Sequence, residues 1–429
     1  MGVLRPILPP MGWNSWDCYG ASVTEEEVIG NAEYMARHLK EYGWEYVVVD
    51  IQWYEPTADG SQYHAYADVE MDQWGRLLPA VNRFPSASGG RGFGPLAQKI
   101  HALGLKFGIH ILRGIPRQAV HENVPILGAA GVTARTIAHI NSICPWNSDM
   151  YGLDATKSGA QAYYDSIFQL YAEWGVDFVK VDDISASTLY GYHRDEVEMI
   201  SQAIERSGRA MVLSLSPGPA GLEHSLHLKT HATMWRISND YWDQWKQLRE
   251  TFDLCAAWAG VSGPGSFPDA DMLPLGHIGL RSAETGVGDR WTRFTRDEQR
   301  TMMTLWCMAR SPLMAGGELR DNDDWTNSLY TAPAVLGVLR SYGNHEAYRQ
   351  PDASIWLARR PDDDAYYVGL FNLSEARQTV SVPDGLLPDS GRLRVRDLWE
   401  EAGEQTAVNR LSVELPPHGC QLLLVTPQE

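Results

Sequence analysis

Short apolar runs alternate with longer segments of helical spacing along the first three-quarters of the chain. The runs lie at residues 46–50 (YVVVD), 105–110 (LKFGIH), 176–182 (VDFVKVD), 211–216 (MVLSLS) and 234–237 (MWRI). Near-continuous apolar runs of this length suit parallel strands that are buried on both faces. Between them, Val28, Ala32, Met35, Ala36 and Leu39 share one helical face. Leu96, Ile100 and Leu103 share another, and Tyr163, Ile167, Leu170 and Trp174 a third. Gly43, Gly104 and Gly175 close these segments. Thr24-Glu25-Glu26-Glu27 and the segment from Thr295 to Glu298 are capping boxes, in which threonine and glutamate side chains satisfy backbone N–H groups of the first turn. The second box opens a helix carrying Met302, Leu305, Trp306 and Ala309. Strand–helix alternation repeated seven or eight times over about 330 residues predicts a parallel sheet with helices outside, and that many units favours a closed barrel over an open doubly wound sheet.

The texture changes after about residue 344. Strand-length runs at 354–359, 365–372, 378–382, 392–398, 411–415 and 421–425 are separated by turn residues, and helical spacing disappears. The fold class expected is therefore α/β: a (β/α)8 TIM barrel over residues 1–345, followed by a small antiparallel β-sandwich domain over 346–429. Gly90-Arg91-Gly92-Phe93-Gly94 follows no strand directly and has its third glycine out of place for a dinucleotide loop, so it reads as an ordinary loop.

Charge and composition narrow the partners. The 36 basic and 54 acidic residues give a net charge of −18. That argues against nucleic acid, which needs a basic face, and against anionic membranes. No stretch approaches 18 uninterrupted apolar residues, and the first residues, MGVLRPILPPMGW, lack an apolar run of signal-peptide length. The five cysteines (Cys18, Cys144, Cys255, Cys307, Cys420) are scattered, without a Cys-x-x-Cys pair or zinc spacing. A reduced, cytoplasmic protein is expected. Asn372-Leu373-Ser374 falls in a strand-like run and reads as a chance glycosylation triplet. The 16 tryptophans and 19 tyrosines suit either a large core or flat surfaces for sugar rings. Trp16, Trp53 and Trp235 fall at strand ends near the expected barrel mouth, whereas Trp174 and Trp306 fall on core faces of helices.

In such a barrel, chemistry belongs to the polar residues that end the strands. They are Asp50, His110, Lys180 with Asp182 and Asp183, Ser216, and Arg236 with Asp240 just beyond. Residues i and i+2 of a strand share a face, so Lys180 and Asp182 point together into the mouth. A lysine beside a carboxylate keeps it ionised, as a nucleophile requires, although a buried ion pair would look the same. Asp240 reads either as a second catalytic carboxylate or as the N-cap of a helix over 241–251. Two carboxylates about 5–5.5 Å apart would suit a retaining glycosidase. His110 has no accompanying metal motif and reads as a hydrogen-bonded core or rim residue, so no metal and no cofactor are expected. There is no Gly-x-Ser-x-Gly elbow.

Six motifs then occur in order: Met11-Gly12-Trp13-Asn14-Ser15-Trp16, Val49-Asp50-Ile51-Gln52-Trp53, Arg83-Phe84-Pro85, Gly104-Leu105-Lys106-Phe107-Gly108-Ile109, Lys180-Val181-Asp182 and Pro268-Asp269-Ala270-Asp271-Met272-Leu273. Together with Ser311-Pro312-Leu313-Met314 they resemble glycoside hydrolase family 27, the α-galactosidase and α-N-acetylgalactosaminidase family, over essentially the whole chain. The resemblance implies a retaining mechanism with Asp182 as nucleophile and Asp240 as acid/base. It implies Trp16 as the aromatic floor of the sugar pocket, Asp50 as a ligand of the sugar's O4 and O6, and Lys180 and Arg236 as hydroxyl-binding residues.

Three positions depart from the family pattern. Ile51 replaces the second aspartate of an Asp-Asp pair, His110 stands where a tyrosine is usual, and Ser216 aligns with the residue that reads the sugar's 2-substituent. A galactose O6 facing Ile51 would lose its acceptor, at about 1–3 kcal/mol. L-arabinopyranose lacks that CH2OH, and some family members are β-L-arabinopyranosidases with an apolar residue there. In the opposing reading Ile51 points to the core and Asp50 alone handles O6. The small Ser216 also admits a 2-acetamido group, as in the N-acetylgalactosaminidases. The expectation is a cofactor-free exo-glycosidase acting on terminal β-L-arabinopyranosides and/or α-D-galactosides, with a small carbohydrate as its partner and homo-oligomerisation left open. A sugar-binding protein without turnover and a metal-dependent barrel hydrolase are the competing classes.

Overall fold

A computed structural model describes residues 2–187, 189–283, 286–387, 392–400, 405–408 and 410–428. The first three-quarters are built on eight parallel strands: β1 Met11–Asn14, β2 Tyr46–Val49, β3 Lys106–Leu112, β4 Phe178–Asp182, β5 Val212–Leu215, β6 Met234–Arg236, β7 Phe267–Asp269 and β8 Leu313–Ala315. Neighbours follow the order β7-β6-β5-β4-β3-β2-β1-β8. Leu273, just past β7, bridges in parallel to Ala315 of β8. Its N–H donates to the Met314 carbonyl at 2.8 Å and its carbonyl accepts from Gly316 at 3.0 Å, which joins the two ends of the sheet into a TIM barrel. Helices α1 Glu25–His38, α2 Gly94–Ala102, α3 Ala160–Trp174, α4 Arg194–Ser207, α5 Ser225–His231, α6 Trp245–Trp258, α7 Arg296–Ala309 and α8 Asp324–Tyr330 follow the strands in turn. Both capping boxes form, at the starts of α1 and α7. None of the helices described is long and apolar enough to cross a membrane.

Strand alternation decides what faces the barrel axis. Tyr46, Val48, Phe178, Val212, Met234, Phe267 and Met314 form a buried cluster of their own inside the sheet. Val47, Val49, Val179, Val181, Leu213, Leu215 and Trp235 belong instead to the large core beneath the helices. The same parity carries Asp50, Lys180, Asp182, Ser216 and Arg236 to the inside, above the apolar floor. Gly108 of β3 leaves room for that floor: a Cβ there would meet the side chains of Phe178 and Val48 at 2.9 Å each. β1, β7 and β8 are four, three and three residues long, too short to show as apolar runs.

From Tyr342 onward the strands are antiparallel. β9 Tyr342–Gln350, β10 Ala353–Arg359, β11 Tyr366–Asn372, β13 Arg392–Asp397, β14 Gln405–Val408 and β16 Cys420–Gln428 form one sheet, and β12 Gln378–Ser381 pairs with β15 Ser412–Leu415. Ile355, Leu370, Val380, Leu415 and Leu423 fill the space between the two sheets. The alternate residues Trp356, Phe371 and Leu422 merge with the barrel core. Phe371 packs edge-on against Phe252 of α6 at 4.9 Å. The β-sandwich is thus apolar on both faces of its larger sheet. β9, rich in polar residues, was not legible as a strand.

Candidate active site

A cavity of about 430 Å³ opens at the C-terminal ends of the barrel strands. Trp16 and Asp17 after β1, Asp50, Ile51 and Tyr63 after β2, and Trp146 from the β3–α3 loop line one side. Lys180 and Asp182 of β4, Pro217 after β5, Arg236 and Asp240 of the β6 region, and Asp271 and Met272 after β7 line the other. Seven of the nine residues singled out in the sequence therefore meet in one cavity: Trp16, Asp50, Ile51, Lys180, Asp182, Arg236 and Asp240.

The remaining two, His110 and Ser216, are buried behind Asp182 rather than in the cavity wall. Strand β3 does not end at His110 but runs on to Leu112, and Leu112 is level with Asp182 while His110 is level with Lys180. His110 thus lies one layer deeper, its Nε2 2.8 Å from Asp182 Oδ2. An ionised carboxylate can only accept, so Nε2 carries the proton. The Ser216 hydroxyl donates to Asp182 Oδ1. Ser216 is therefore engaged by Asp182, and Pro217 lines the cavity beside it.

Lys180 Nζ sits 3.0 Å from Asp50 Oδ2 and 3.8 Å from Asp182 Oδ2. Burial pushes the Asp182 carboxyl up, but Lys180 and then His110 more than offset it and hold it down at about 2. Asp50 is buried too, yet Lys180 and His110 keep it below the usual range. Asp50 also accepts from Asn14 Nδ2 at 2.7 Å and from the Ile51 N–H at 2.8 Å. Just past Asp182 the chain turns at Asp183, φ 59°. Its carboxylate points away from the cavity to buried Arg113 at 2.9 Å, which also pairs with Glu196 at 2.9 Å. This pins the turn behind Asp182.

The opposite side is organised around one cation. Arg236 Nη2 lies 2.7 Å from Asp271 and 3.3 Å from Asp240. The Asp240 side chain is 66% exposed against 13% for Asp182. Helix α6 begins at Trp245 with Gln244 as its N-cap, so Asp240 caps no helix. Burial pushes Asp271 up to about 7, with Asp240 and Asp269 adding to the effect and Arg236 opposing it. Asp17 is buried with one carboxylate oxygen lacking a hydrogen-bond partner. Burial, followed by Asp271, drives its carboxyl well above the ordinary range. A Cβ on Gly316 would lie 2.1 Å from that oxygen, so only glycine fits beside it.

Ile51 is 1% exposed and packs with Leu112, Cys144 and Met150, against which Trp16, Tyr63 and Trp146 lie. Trp16 stacks on Tyr63 with centroids 6.0 Å apart, and Tyr63 meets Trp146 at 5.6 Å. Ile51 thus belongs to an apolar wall of the cavity. Trp53 and Trp235, expected near the mouth, are fully buried in the core instead, and Trp53 donates to the His110 carbonyl at 2.7 Å. Asp17, Tyr63, Trp146, Asp271 and Met272 were missed as site residues. Asp271 and Met272 lay within a quoted motif; Tyr63 and Trp146 come from long loops that carry no periodic signal.

Residues 152–340 match the model described as alpha galactosidase A, and residues 350–425 match the alpha galactosidase C-terminal beta sandwich domain. A β-L-arabinopyranosidase of this family from Geobacillus stearothermophilus is 59% identical, with a TM-score of 0.96, covering 98% of this chain and 97% of that one. A variant of that enzyme in complex with arabinose superposes with a TM-score of 0.97 over 99% and 98% of the two chains, again at 59% identity. A protein of Bacillus halodurans C-125, provisionally named an α-N-acetylgalactosaminidase, is 54% identical over 100% of both chains, with a TM-score of 0.89. The α-galactosidase of Cyamopsis tetragonoloba is 25% identical over 98% of this chain and 86% of its own length. With a continuous match of this kind across both domains, the chain belongs to glycoside hydrolase family 27 and is an O-glycoside hydrolase.

Proposed function

We propose that this enzyme is a retaining exo-glycosidase that prefers terminal β-L-arabinopyranosides to α-D-galactosides. The observation that carries the preference is Ile51 in the cavity wall, packed among Leu112, Cys144 and Met150. A sugar hydroxymethyl directed there would lose its hydrogen-bond partner, at about 1–3 kcal/mol, or roughly tenfold or more in specificity. A pyranose without that group leaves only ring carbon against the apolar wall. The similarity to an arabinopyranosidase supports the same reading.

Asp182, ionised and held by His110, Ser216 and Lys180, attacks the anomeric carbon. Asp240 protonates the departing glycosidic oxygen, and the aglycone leaves. Asp240, now a carboxylate, takes a proton from water, which attacks the same carbon and releases Asp182 and the free sugar with its anomeric configuration retained. Trp16 supplies the platform for the sugar ring, Asp50 accepts from O4, and Lys180 and Arg236 donate to neighbouring hydroxyls. The five cysteines, all free thiols, support a reducing, cytoplasmic location.

Hydrolysis of nitrophenyl β-L-arabinopyranoside, α-D-galactoside and N-acetyl-α-D-galactosaminide, measured side by side, tests the reading. The arabinopyranoside should lead in kcat/KM by about tenfold or more, and Ile51→Asp should move preference towards galactose by a similar factor. A tenfold preference for the α-galactoside, or turnover led by the N-acetylgalactosaminide, would refute it.

A further inference from the structure

We propose that Glu198, His227 and His231 form a binding site for a divalent transition metal of the zinc type, on the outer helical layer and apart from the sugar cavity. His227 and His231 are four residues apart on α5, which puts both rings on one face of the helix. Glu198 reaches them from the adjacent α4. One ligand atom from each of the three can be chosen so that all lie within 4.8 Å of one another. The two imidazole rings are 4.4 Å apart, centroid to centroid.

The second nitrogen of His227 strengthens the case. His227 is buried, its Nε2 lies 2.9 Å from Glu198 Oε1, and its Nδ1 lies 2.5 Å from the Tyr192 hydroxyl. A metal-ligating imidazole is commonly oriented by a polar partner on its far nitrogen, and Tyr192 fills that place. Without metal, Nε2–H donates to Glu198 and Nδ1 accepts from Tyr192. With metal on Nε2, the tautomer shifts and Nδ1–H donates to the tyrosine oxygen. Two imidazoles and one carboxylate suit zinc, with cobalt or nickel as substitutes, better than magnesium or calcium. Water would complete the coordination.

The site has a structural consequence. Helix α5 has only seven residues, too few to hold its shape alone. It is followed after Ala232 and Thr233 by β6, which delivers Arg236 to the cavity. A metal would tie α5, and with it the approach to β6, to α4. One competing cation is in place: Arg194 Nε, 3.3 Å from Glu198 Oε1, on a side chain that is 58% exposed.

Zinc chloride added to the metal-stripped full-length enzyme tests the proposal. The expected result is one zinc retained per chain by elemental analysis after dialysis, a Tm raised by about 2 °C or more, and unchanged turnover. His231→Ala and Glu198→Gln should each abolish zinc retention and the Tm shift, with a zinc-free Tm near wild type. Arg194→Ala should tighten binding by about fivefold, because it removes a like charge. No zinc uptake by the wild type, or uptake that survives both His231→Ala and Glu198→Gln, would overturn it.

Discussion

Asp182, largely covered, and Asp271, buried, are both carboxylates beside a cation in the same cavity, yet they behave in opposite ways. Asp182 is held at about 2, and Asp271 is pushed up to about 7. Burial acts against the charge of both. Asp182 accepts from His110 and Ser216 and has Lys180 close by. Asp271 accepts from the Tyr241 N–H at 2.7 Å and shares Arg236 with Asp240, with Asp269 adding further negative charge. Burial, with Asp240 and Asp269 adding negative charge nearby, outweighs Arg236, so the Asp271 carboxyl holds its proton up to about pH 7. The two sides of the cavity are thus prepared for different work: one presents a fixed anion, Asp182, and the other a carboxyl, Asp271, that can hold and release a proton.

The largest effect should come from the fixed anion. Asp182→Ala is expected to lower kcat by about 10⁴-fold or more, measured with any accepted glycoside. Near-wild-type turnover would remove Asp182 from its role. Asp240→Ala should cost about 10²–10⁴-fold with an alkyl or sugar aglycone, and the cleavage step should suffer far less with a nitrophenyl group, which leaves without a proton. Equal losses of that step with both kinds of substrate would mean that Asp240 is not the acid. Ser216→Ala takes one donor from Asp182. The acid limb of kcat/KM should then move up by about 1–2 pH units, while an unmoved limb would mean the hydroxyl does not support the charge.

The smallest effect concerns the raised acid. The folded pKa of Asp271, about 7, lies above its unfolded value of about 3.9. The native state therefore keeps a proton that the unfolded chain has lost across that window. Its stabilising effect is complete below about pH 4 and is lost as pH rises through 7. Asp182 has the reverse sign: its contribution is present above about pH 4 and is lost as pH falls towards 2. Between about pH 5 and 8, wild type should lose about 2 °C more in Tm than Asp271→Asn, measured by thermal melts in matched buffers. Parallel curves would show that Asp271 does not titrate there.

Much of this was legible in the chain itself. The i, i+2 relation in VDFVKVD was enough to put Lys180 and Asp182 on one inward face, and the run YVVVD marked Asp50 as the polar residue ending its strand; the structure has all three lining the cavity. Depth along a strand was not legible, because it depends on where the strand stops. The assumption that β3 ends at His110 hid two further residues, Ile111 and Leu112, and with them the role of His110 beneath Asp182. Asp17 escaped notice because its burial depends on the close approach of Gly316, some three hundred residues away in sequence. Tyr63 and Trp146 sit in loops without a local pattern and reach the site by tertiary packing, Tyr63 on Trp16 and Trp146 on Tyr63.

The division of labour between Asp182 and Asp240 is open to direct observation. Asp240→Ala given nitrophenyl β-L-arabinopyranoside should complete the first displacement, since the leaving group needs no acid, and stall at the second for want of a base. Intact-mass measurement, followed by mapping of the proteolysed protein, should then find one pentosyl unit attached to Asp182. No adduct in a stalled enzyme, or an adduct on any other residue, would contradict the assignment of Asp182 as the nucleophile.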